Sequence, residues 1–410
     1  YRISSKKDRN AQNEGHSEYV FGLINTLKNE KIKSDIMITC FTKHGDIIRE
    51  YSLLQNEWKD NCVELTWDIS EYSKKNRCLV ISQYGFESKS SRRGNLDLII
   101  IPNIKNRILR KLFNNIYYKL KLFKKLRKNR VTHFIPADAH GFDLFLFFTK
   151  MLKIEVIPNL SRLDHVSKKY IRLFKLFKLN KFIVPGKYYK NELLASGIGS
   201  ETTIRIRQPK YPERFFTFRE IPVFNGGSFK VLFTGRLIKE KGIYEFLEAA
   251  ISVSKRNDNC TFYIAGDGVE QLNIKRIIDL EKVSSKIHLL GSFSNLEIGT
   301  LMMNADVIVF PTYTEGFAKT WIESILTCTP IILTPLPAIT DILKDGVNSF
   351  YIPLKNSAAI ETLVTELSKS PGRLDKIRDE LSKTKAVLIK QSNGNFKECV
   401  EFLISRNEHC

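Results

Sequence analysis

Two glutamates with seven residues between them are the first candidates for polar chemistry. Glu315 opens the stretch EGFAKTWIE and Glu323 closes it. The apolar spacing between them predicts a helix. Gly316 would let a ligand approach the backbone closely, and the amides of Gly316 and Phe317 would open a helix whose N-terminus favours an anion. On such a helix, Glu323 would lie roughly 10 Å from Gly316.

Two cations follow another predicted strand. The stretch FTGRLIKEKG places Arg236 and Lys241 just after a strand that ends at Gly235. Arg can bind two oxygens in a fork and Lys supplies a compact charge, so the pair suits a diphosphate. The plainer interpretation is that these two cations are ordinary loop residues in solvent. The turn AGDG at 265–268 lacks the third glycine of a dinucleotide fingerprint, and no GxxxxGK[ST] phosphate loop occurs.

Both halves of the chain predict alternating strands and helices. Apolar runs such as FKVLFTG, CTFYIAG and DVIVFP each end at Gly or Pro, and amphipathic stretches lie between them. This pattern is typical of parallel sheets covered by helices on both faces. Ligands of such sheets bind at the carboxyl ends of the strands. The predicted fold class is therefore α/β, with two doubly wound, Rossmann-like domains facing across a cleft.

Length and charge predict where the domains divide. A chain of 410 residues suggests two domains. The net charge is +21; residues 1–220 carry 43 Lys+Arg against 22 Asp+Glu, whereas residues 221–410 carry 22 of each. The change falls at IPVFNGGSFK, which has the composition of a linker. We expect domains at 1–222 and 223–390, and a C-terminal helix at 391–410 that packs back on the first domain.

Four motifs occur in a familiar order. GRLIKEKG, AGDG, FPTYTEGFAKTWIE and LKDGVNSFYIP follow one another between residues 235 and 353. This series resembles the retaining glycosyltransferases of family 4, which have the GT-B fold and an EX7E motif. The resemblance is specific across residues 229–356. It implies that Glu315 contacts the donor sugar, that Glu323 contacts the ribose, and that the two cations hold the diphosphate. The implied donor-binding residues are Arg236, Lys241, Gly316, Phe317, Glu323 and Gly15.

The resemblance also implies a reaction. A sugar would move from a nucleotide-sugar donor to a glycan or lipid-linked acceptor, with retention of configuration, in bacterial surface polysaccharide synthesis. Residues 223–390 would bind the donor and residues 1–222 the acceptor. The stretch ADAHG offers Asp138 and His140 as the catalytic polar group, and spacing does not choose between them. No cofactor or metal is expected, since no DxD pair or metal-ligand cluster is found.

The excess charge of the first half suggests a membrane partner. Residues 105–130 contain 11 Lys+Arg and no acid, and apolar residues recur there at helical spacing. These are Ile108, Leu109, Leu112, Phe113, Ile116, Leu120, Phe123 and Leu126. A second basic stretch, SKKYIRLFKLFKLNKF, covers 167–182. Such stretches favour an anionic membrane surface, although packing of each stripe on a sheet would explain part of the pattern. The expected location is cytoplasmic, peripheral on the inner face of the cytoplasmic membrane.

Two other classes of protein remain open at this point. A nucleotide-sugar epimerase of the same architecture would bind a similar donor but would not need a basic first half. A basic nucleic-acid-binding protein would explain the charge, but no RRM, KH, zinc or helix-turn-helix signature occurs. We therefore expect no nucleic-acid partner.

Overall fold

The chain groups into two compact units, one formed by Tyr1–Pro209 with Ser392–Cys410 and the other by Lys210–Gln391. The structure is a computed structural model. The residues that it describes are 35–41, 77–83, 89–93, 96–129, 131–136, 142–160, 163–207, 218, 220–221, 224, 228–256, 259–293, 295–316, 318–391 and 394–405.

The first unit contains a six-stranded sheet with the order β3-β4-β2-β1-β5-β6. All neighbouring strands are parallel except β3, which pairs antiparallel with β4 at the edge. Two further parallel strands, β7 and β8, form a small separate sheet. The strands are β1 (Asp35–Phe41), β2 (Arg77–Gln83), β3 (Lys89–Arg93), β4 (Leu96–Ile101), β5 (His133–Pro136), β6 (Glu155–Val156), β7 (Phe182–Val184) and β8 (Ile204–Ile206).

Five described helices belong to the first unit, and one of them comes from the C-terminus. They are α1 (Arg107–Lys128), α2 (Phe142–Met151), α3 (Lys168–Leu176), α4 (Lys187–Ala195) and α11 (Phe396–Ser405). Lys181 is buried and donates from its ammonium to the carbonyl of Leu403 at 2.7 Å. The Arg205 guanidinium stacks 3.9 Å from the ring centroid of Phe402. These contacts hold α11 against β7 and β8.

The second unit is a six-stranded, fully parallel sheet with the order β11-β10-β9-β12-β13-β14. Its central strands are buried along most of their length, which confirms the continuous apolar runs predicted as strands. The strands are β9 (Phe229–Thr234), β10 (Cys260–Ala265), β11 (Ile287–Gly291), β12 (Val307–Phe310), β13 (Ile331–Leu333) and β14 (Phe350–Tyr351).

Four of the described helices lie between these strands, and two more follow the last strand. They are α5 (Ile243–Lys255), α6 (Gln271–Leu280), α7 (Asn295–Asn304), α8 (Lys319–Thr327), α9 (Ser357–Ser368) and α10 (Pro371–Gln391). In α5 the inward residues are fully or almost fully buried, among them Ile243, Phe246 and Ala250. Throughout the described part of the chain, no helix has the length and apolar character needed to cross a membrane.

The strand order of the second unit creates a topological switch point. From β9 the chain builds outward through β10 to β11, then returns to the other side of β9 and builds through β12 to β14. In open parallel sheets, the loops that follow the two strands at such a reversal separate and leave a crevice for a ligand. The loops after β9 and β12 carry the cations and the first glutamate of the sequence analysis.

Candidate functional site

The loop after β9 turns sharply at a glycine. Lys239–Lys241 form a short 3₁₀ turn, and Gly242 follows in the left-handed conformation with φ 70°. A Cβ atom on Gly242 would overlap the carbonyl oxygen of Pro311, which begins the loop after β12. Glycine is therefore required both by the backbone angle and by the close approach of the second loop.

Backbone and side-chain hydrogen bonds join the two loops. The amide of Tyr313 donates to the carbonyl of Glu240 at 2.9 Å. The hydroxyl of Thr312, which is buried, donates to the same carbonyl at 3.2 Å. The phenol of Tyr313 donates to Glu245 at 2.6 Å. These bonds fix the loop after β12 against the loop after β9.

The joined loops bring Lys241 and Glu315 into an ion pair. The Lys241 ammonium contacts Oε1 of Glu315, and each side chain is only 14% exposed. The ammonium also lies 5.9 Å from the centroid of the Phe310 ring. Arg236, in the same loop as Lys241, is exposed to solvent. The site therefore holds two cations and one carboxylate, and one of the cations faces solvent.

Burial makes Lys241 easier to deprotonate than an ordinary lysine. Its pKa is lowered to about 8, first because burial penalises the ammonium and then because the charge of Arg236 repels it. The charge of Glu240 opposes this shift. Lys241 is thus mostly protonated at neutral pH but loses its charge under mildly alkaline conditions.

Glu323 occupies the second turn of α8 and is 5% exposed. Glu323 is therefore not an ordinary exposed helix residue. A carboxylate is rarely buried without polar or charged partners.

The helix that carries Glu323 begins later than predicted. Ala318 has an extended backbone and caps the helix, so the first helical residue is Lys319 rather than Gly316. The amides that open the helix follow Ala318, and Gly316 lies in the preceding loop. Only about 6 Å of helical rise separates Lys319 from Glu323. The predicted 10 Å helical spacing from Gly316 therefore does not apply.

The loop after β10 packs on the loop after β9. A Cβ atom on Gly266 would overlap the carbonyl of Gly235, and one on Gly268 would overlap the carbonyl of Leu237. The amide of Leu237 donates to the carbonyl of Asp267 at 2.9 Å. Close backbone packing alone thus accounts for both glycines of the AGDG turn.

Among the predicted site residues that the structure describes, Glu323 lies on α8 rather than on the joined loops. Arg236, Lys241 and Glu315 lie on the two joined loops, while Gly316 follows Glu315 directly. The remaining predicted residues lie outside the described residues: Gly15, Phe317, Asp138 and His140.

Sequence reasoning missed the polar residues that hold the loops together. Thr312, Tyr313 and Glu245 have no motif in the sequence that would identify their contacts. The pKa of Tyr313 is raised, first by burial and then by its hydrogen bond to Glu245. Tyr313 therefore stays protonated and remains a hydrogen-bond donor at physiological pH. Among the residues that the structure describes, no cluster of three His, Cys, Asp or Glu side chains could hold a metal ion.

The joined loops give a stability prediction with a matched control. Gly242→Ala should lower the thermal midpoint of the second unit more than Gly346→Ala does. Both glycines have φ near 70°, but a Cβ on Gly346 meets nothing within 4 Å. Left-handed backbone costs an alanine about 1–2 kcal/mol at either position. Overlap with Pro311 should add about 1–3 kcal/mol at Gly242. Equal midpoints in calorimetric scans would contradict the packing described for the two loops.

Comparison with known proteins finds a family model that matches most of the second unit. Residues 215–385 match the family Glycosyl transferases group 1. Alpha-monoglucosyldiacylglycerol synthase of Acholeplasma laidlawii is 30% identical over 136 residues, which are 33% of this chain and 34% of that protein. In the curated relatives, the matched region spans about a third to two fifths of their length.

Solved structures match over more of the chain. Sucrose-phosphate synthase of Thermosynechococcus elongatus has a TM-score of 0.61 at 12% identity, covering 85% of this chain and 94% of that chain. Anabaena Alr3699/HepE in complex with UDP has a TM-score of 0.57 at 13% identity, covering 83% and 93%. Identity this low is evidence for the fold alone. The predicted α/β class with two Rossmann-like domains of the GT-B fold is confirmed.

Proposed function

We propose that this protein is a retaining glycosyltransferase of family 4 that takes its sugar from a nucleotide-sugar donor. One observation carries the proposal: Lys241 and Glu315 meet at the switch point of the second sheet, with Arg236 in the same loop. A nucleotide sugar presents an anionic diphosphate beside a ring of hydroxyl groups. The cations suit the diphosphate, and the neighbouring carboxylate suits the sugar hydroxyls.

The proposed roles follow from the chemistry of each side chain. Arg236 and Lys241 bind the diphosphate, and Glu315 accepts hydrogen bonds from hydroxyls of the donor sugar. Glu323 accepts hydrogen bonds from the ribose. Gly316 lets the donor approach the backbone before α8 closely, and Phe317 is a further proposed donor-binding residue. In the ligand-free protein Lys241 and Glu315 neutralise each other, so the donor must replace this ion pair with contacts of its own.

In the proposed reaction, the acceptor hydroxyl forms a bond to the anomeric carbon while the bond from that carbon to the diphosphate breaks. The electron pair of the broken bond goes to the diphosphate, and the leaving phosphate oxygen takes the hydroxyl proton. Lys241 and Arg236 offset the charge that develops on the leaving group. Attack on the face that the leaving group departs from gives retention of configuration.

Transfer should not depend on a divalent metal. Two cationic side chains already face the leaving group, and this is the function that a metal would otherwise serve. We expect the rate of transfer to be the same in excess EDTA as in Mg²⁺ or Mn²⁺. Loss of activity on chelation, restored by either ion, would show that the leaving group is neutralised in another way.

Nucleotide affinity should depend on pH through Lys241. Because its pKa in the free protein is about 8, the affinity for UDP should be highest near pH 7, fall to about half by pH 8, and fall further at higher pH as the ammonium is lost. The fall should approach tenfold per pH unit. Lys241→Arg is the matched control, since a guanidinium stays charged throughout this range. If the arginine variant shows the same fall, another group is responsible.

The first unit is the proposed acceptor-binding half, with Asp138 or His140 as the catalytic polar group. We propose a glycan or lipid-linked acceptor, used in the synthesis of bacterial surface polysaccharide at the inner face of the cytoplasmic membrane. Residues 1–220 carry the whole excess of +21. Each Lys or Arg near an anionic membrane contributes about 1 kcal/mol of attraction. The name of the Acholeplasma relative describes synthesis of a diacylglycerol glycolipid, which also supports a lipid acceptor.

A panel of nucleotide sugars tests the proposal. UDP-, GDP- and ADP-sugars are added to the full chain, and the rise in thermal midpoint identifies the donor, because a ligand that binds only the folded state stabilises it. The same donor should raise the midpoint less in Lys241→Ala than in Lys239→Ala, a variant of an exposed lysine in the same 3₁₀ turn. No shift with any member of the panel would reject the proposed function. A salt-dependent shift with RNA alone would favour nucleic-acid binding.

A further inference from the structure

Helix α1 carries two adjoining apolar faces, and only one of them packs in the core. Tyr118, Leu122 and Leu126 repeat every four residues and are 0–2% exposed. On the other face Ile108 is 71% exposed, and four more apolar residues are 47–50% exposed. We call this face the outer stripe; its members are Ile108, Leu109, Phe113, Ile116 and Leu120. At 100° per residue, the five lie within an arc of about 140°.

The sequence predicts that these residues and Leu126 form one stripe, part of which packs on a sheet. The structure divides them. Leu126 is buried and Phe123 is half-buried, with its ring centroid 4.9 Å from that of Phe148 on α2. The N-terminal three turns of the outer stripe remain in solvent. Asn106 begins the helix by accepting hydrogen bonds from the amides of Ile108 and Leu109, so these turns are regular helix.

Exposed cations border the outer stripe along one side of α1 and lie beyond both of its ends. Residues 105–130 contain no acid, and six of their lysines and arginines are exposed. These are Lys105, Arg107, Lys121, Lys124, Arg127 and Lys128. Helix α2 adds exposed apolar residues beside α1, since Phe147 and Met151 are 54% and 60% exposed. Monomeric soluble proteins rarely expose an apolar patch of this extent without a partner.

We infer that α1 lies in the interface of an anionic lipid bilayer, with the outer stripe among the acyl chains and the bordering cations at the lipid phosphates. A helix with an apolar face and a polar face rich in Lys and Arg is suited to lie in the plane of that interface. The outer stripe runs from Ile108 to Leu120 and gives a contact about 18 Å long. This inference rests on the proposed membrane-surface acceptor and identifies the face that contacts the membrane.

Two other occupants fit the same face less well. A second copy of the chain would bring two acid-free, cationic surfaces together, and like charges across an interface oppose association. A nucleic acid would match the charge but not the stripe, because bases stack on aromatic rings and four of the five residues are aliphatic. An anionic bilayer matches both the apolar residues and the cations.

Vesicle binding tests the inference. The full chain is sedimented with vesicles of equal parts phosphatidylglycerol and phosphatidylcholine, without donor or acceptor. The triple variant Ile108→Ser, Phe113→Ser, Ile116→Ser should partition at least about tenfold more weakly than wild type. The control Leu272→Ser, Leu280→Ser changes two exposed leucines on α6 of the other unit and should bind as wild type does. All the changed residues are exposed, so thermal midpoints should stay the same.

Salt and fluorescence separate insertion from simple charge attraction. At about 1 M salt, charge interactions are screened within about 3 Å, so wild type should keep part of its binding and the triple variant none. A tryptophan introduced by Phe113→Trp should shift to shorter wavelength on the vesicles, whereas Leu272→Trp should not.

Two results would overturn the inference. One is equal vesicle binding by wild type and the triple variant, with no spectral shift from Phe113→Trp. The other is that wild type does not bind vesicles and instead forms a dimer, seen by sedimentation, whereas the triple variant does not form that dimer. The triple variant should bind UDP as wild type does. If wild type itself does not bind UDP, the proposed donor site is rejected. Membrane docking is then judged from the vesicle results alone.

Discussion

Glu315→Ala is expected to abolish sugar transfer while leaving the affinity for UDP unchanged or higher. In the proposed complex Glu315 contacts only the sugar, so its loss removes a group that stabilises the transition state, a loss on the order of 100-fold or more in rate. The same change frees Lys241 from its ion pair. The diphosphate then no longer competes with a carboxylate for the ammonium. Transfer rates and UDP calorimetry on the same preparation measure the two effects.

Glu240→Ala is the matched control for this prediction. Glu240 is an exposed carboxylate next to Lys241, and only its backbone carbonyl bonds to the loop after β12. This variant should transfer sugar at close to the wild-type rate. If Glu315→Ala weakens UDP binding as strongly as Glu323→Ala does, the roles of the two glutamates are wrongly assigned.

Lys241→Ala should lower the affinity for UDP by about 10- to 100-fold, because a hydrogen bond to a charged group contributes about 1.5–3 kcal/mol. Arg236→Ala should have an effect of the same size. Glu323→Gln keeps the volume of a buried side chain and removes its charge, so it tests the ribose contact with less risk to folding. Lys239→Ala should bind UDP normally. An equal loss in the Lys239 and Lys241 variants would indicate general charge attraction rather than a defined diphosphate site.

The second unit could be predicted from sequence because its local signals agree. Each strand is a short apolar run ended by Gly or Pro, and each helix has a clear apolar face. In the first unit, β2 (RCLVISQ) and β3 (KSSRR) were missed. The first mixes polar residues into an interior strand of the sheet, and the second is polar because it lies at a sheet edge. The sequence predicted that only part of the apolar stripe of α1 packs on a sheet, but it could not predict which residues do, because periodicity shows that a helix has apolar faces and not which of them meets the core.

The sequence predicted which residues belong to the candidate site better than it predicted the contacts between them. Spacing alone placed Arg236, Lys241, Glu315 and Glu323 at the carboxyl ends of strands. The ion pair between Lys241 and Glu315 joins residues 74 positions apart, and it depends on two loops held by Thr312 and Tyr313. No local pattern encodes that contact. The start of α8 at Lys319 was missed because Gly316 and Ala318 are compatible with either a helix or a loop.

Hydrogen–deuterium exchange with and without UDP tests the central claim most directly, because it locates the nucleotide without assuming an acceptor or a rate. If the donor diphosphate binds at the switch point, UDP should slow exchange in the loop at 235–242 and in the segment at 311–323. Peptides from α1 and α9 should be unaffected. Protection confined to other parts of the chain, with none in these two segments, would contradict the proposed donor site.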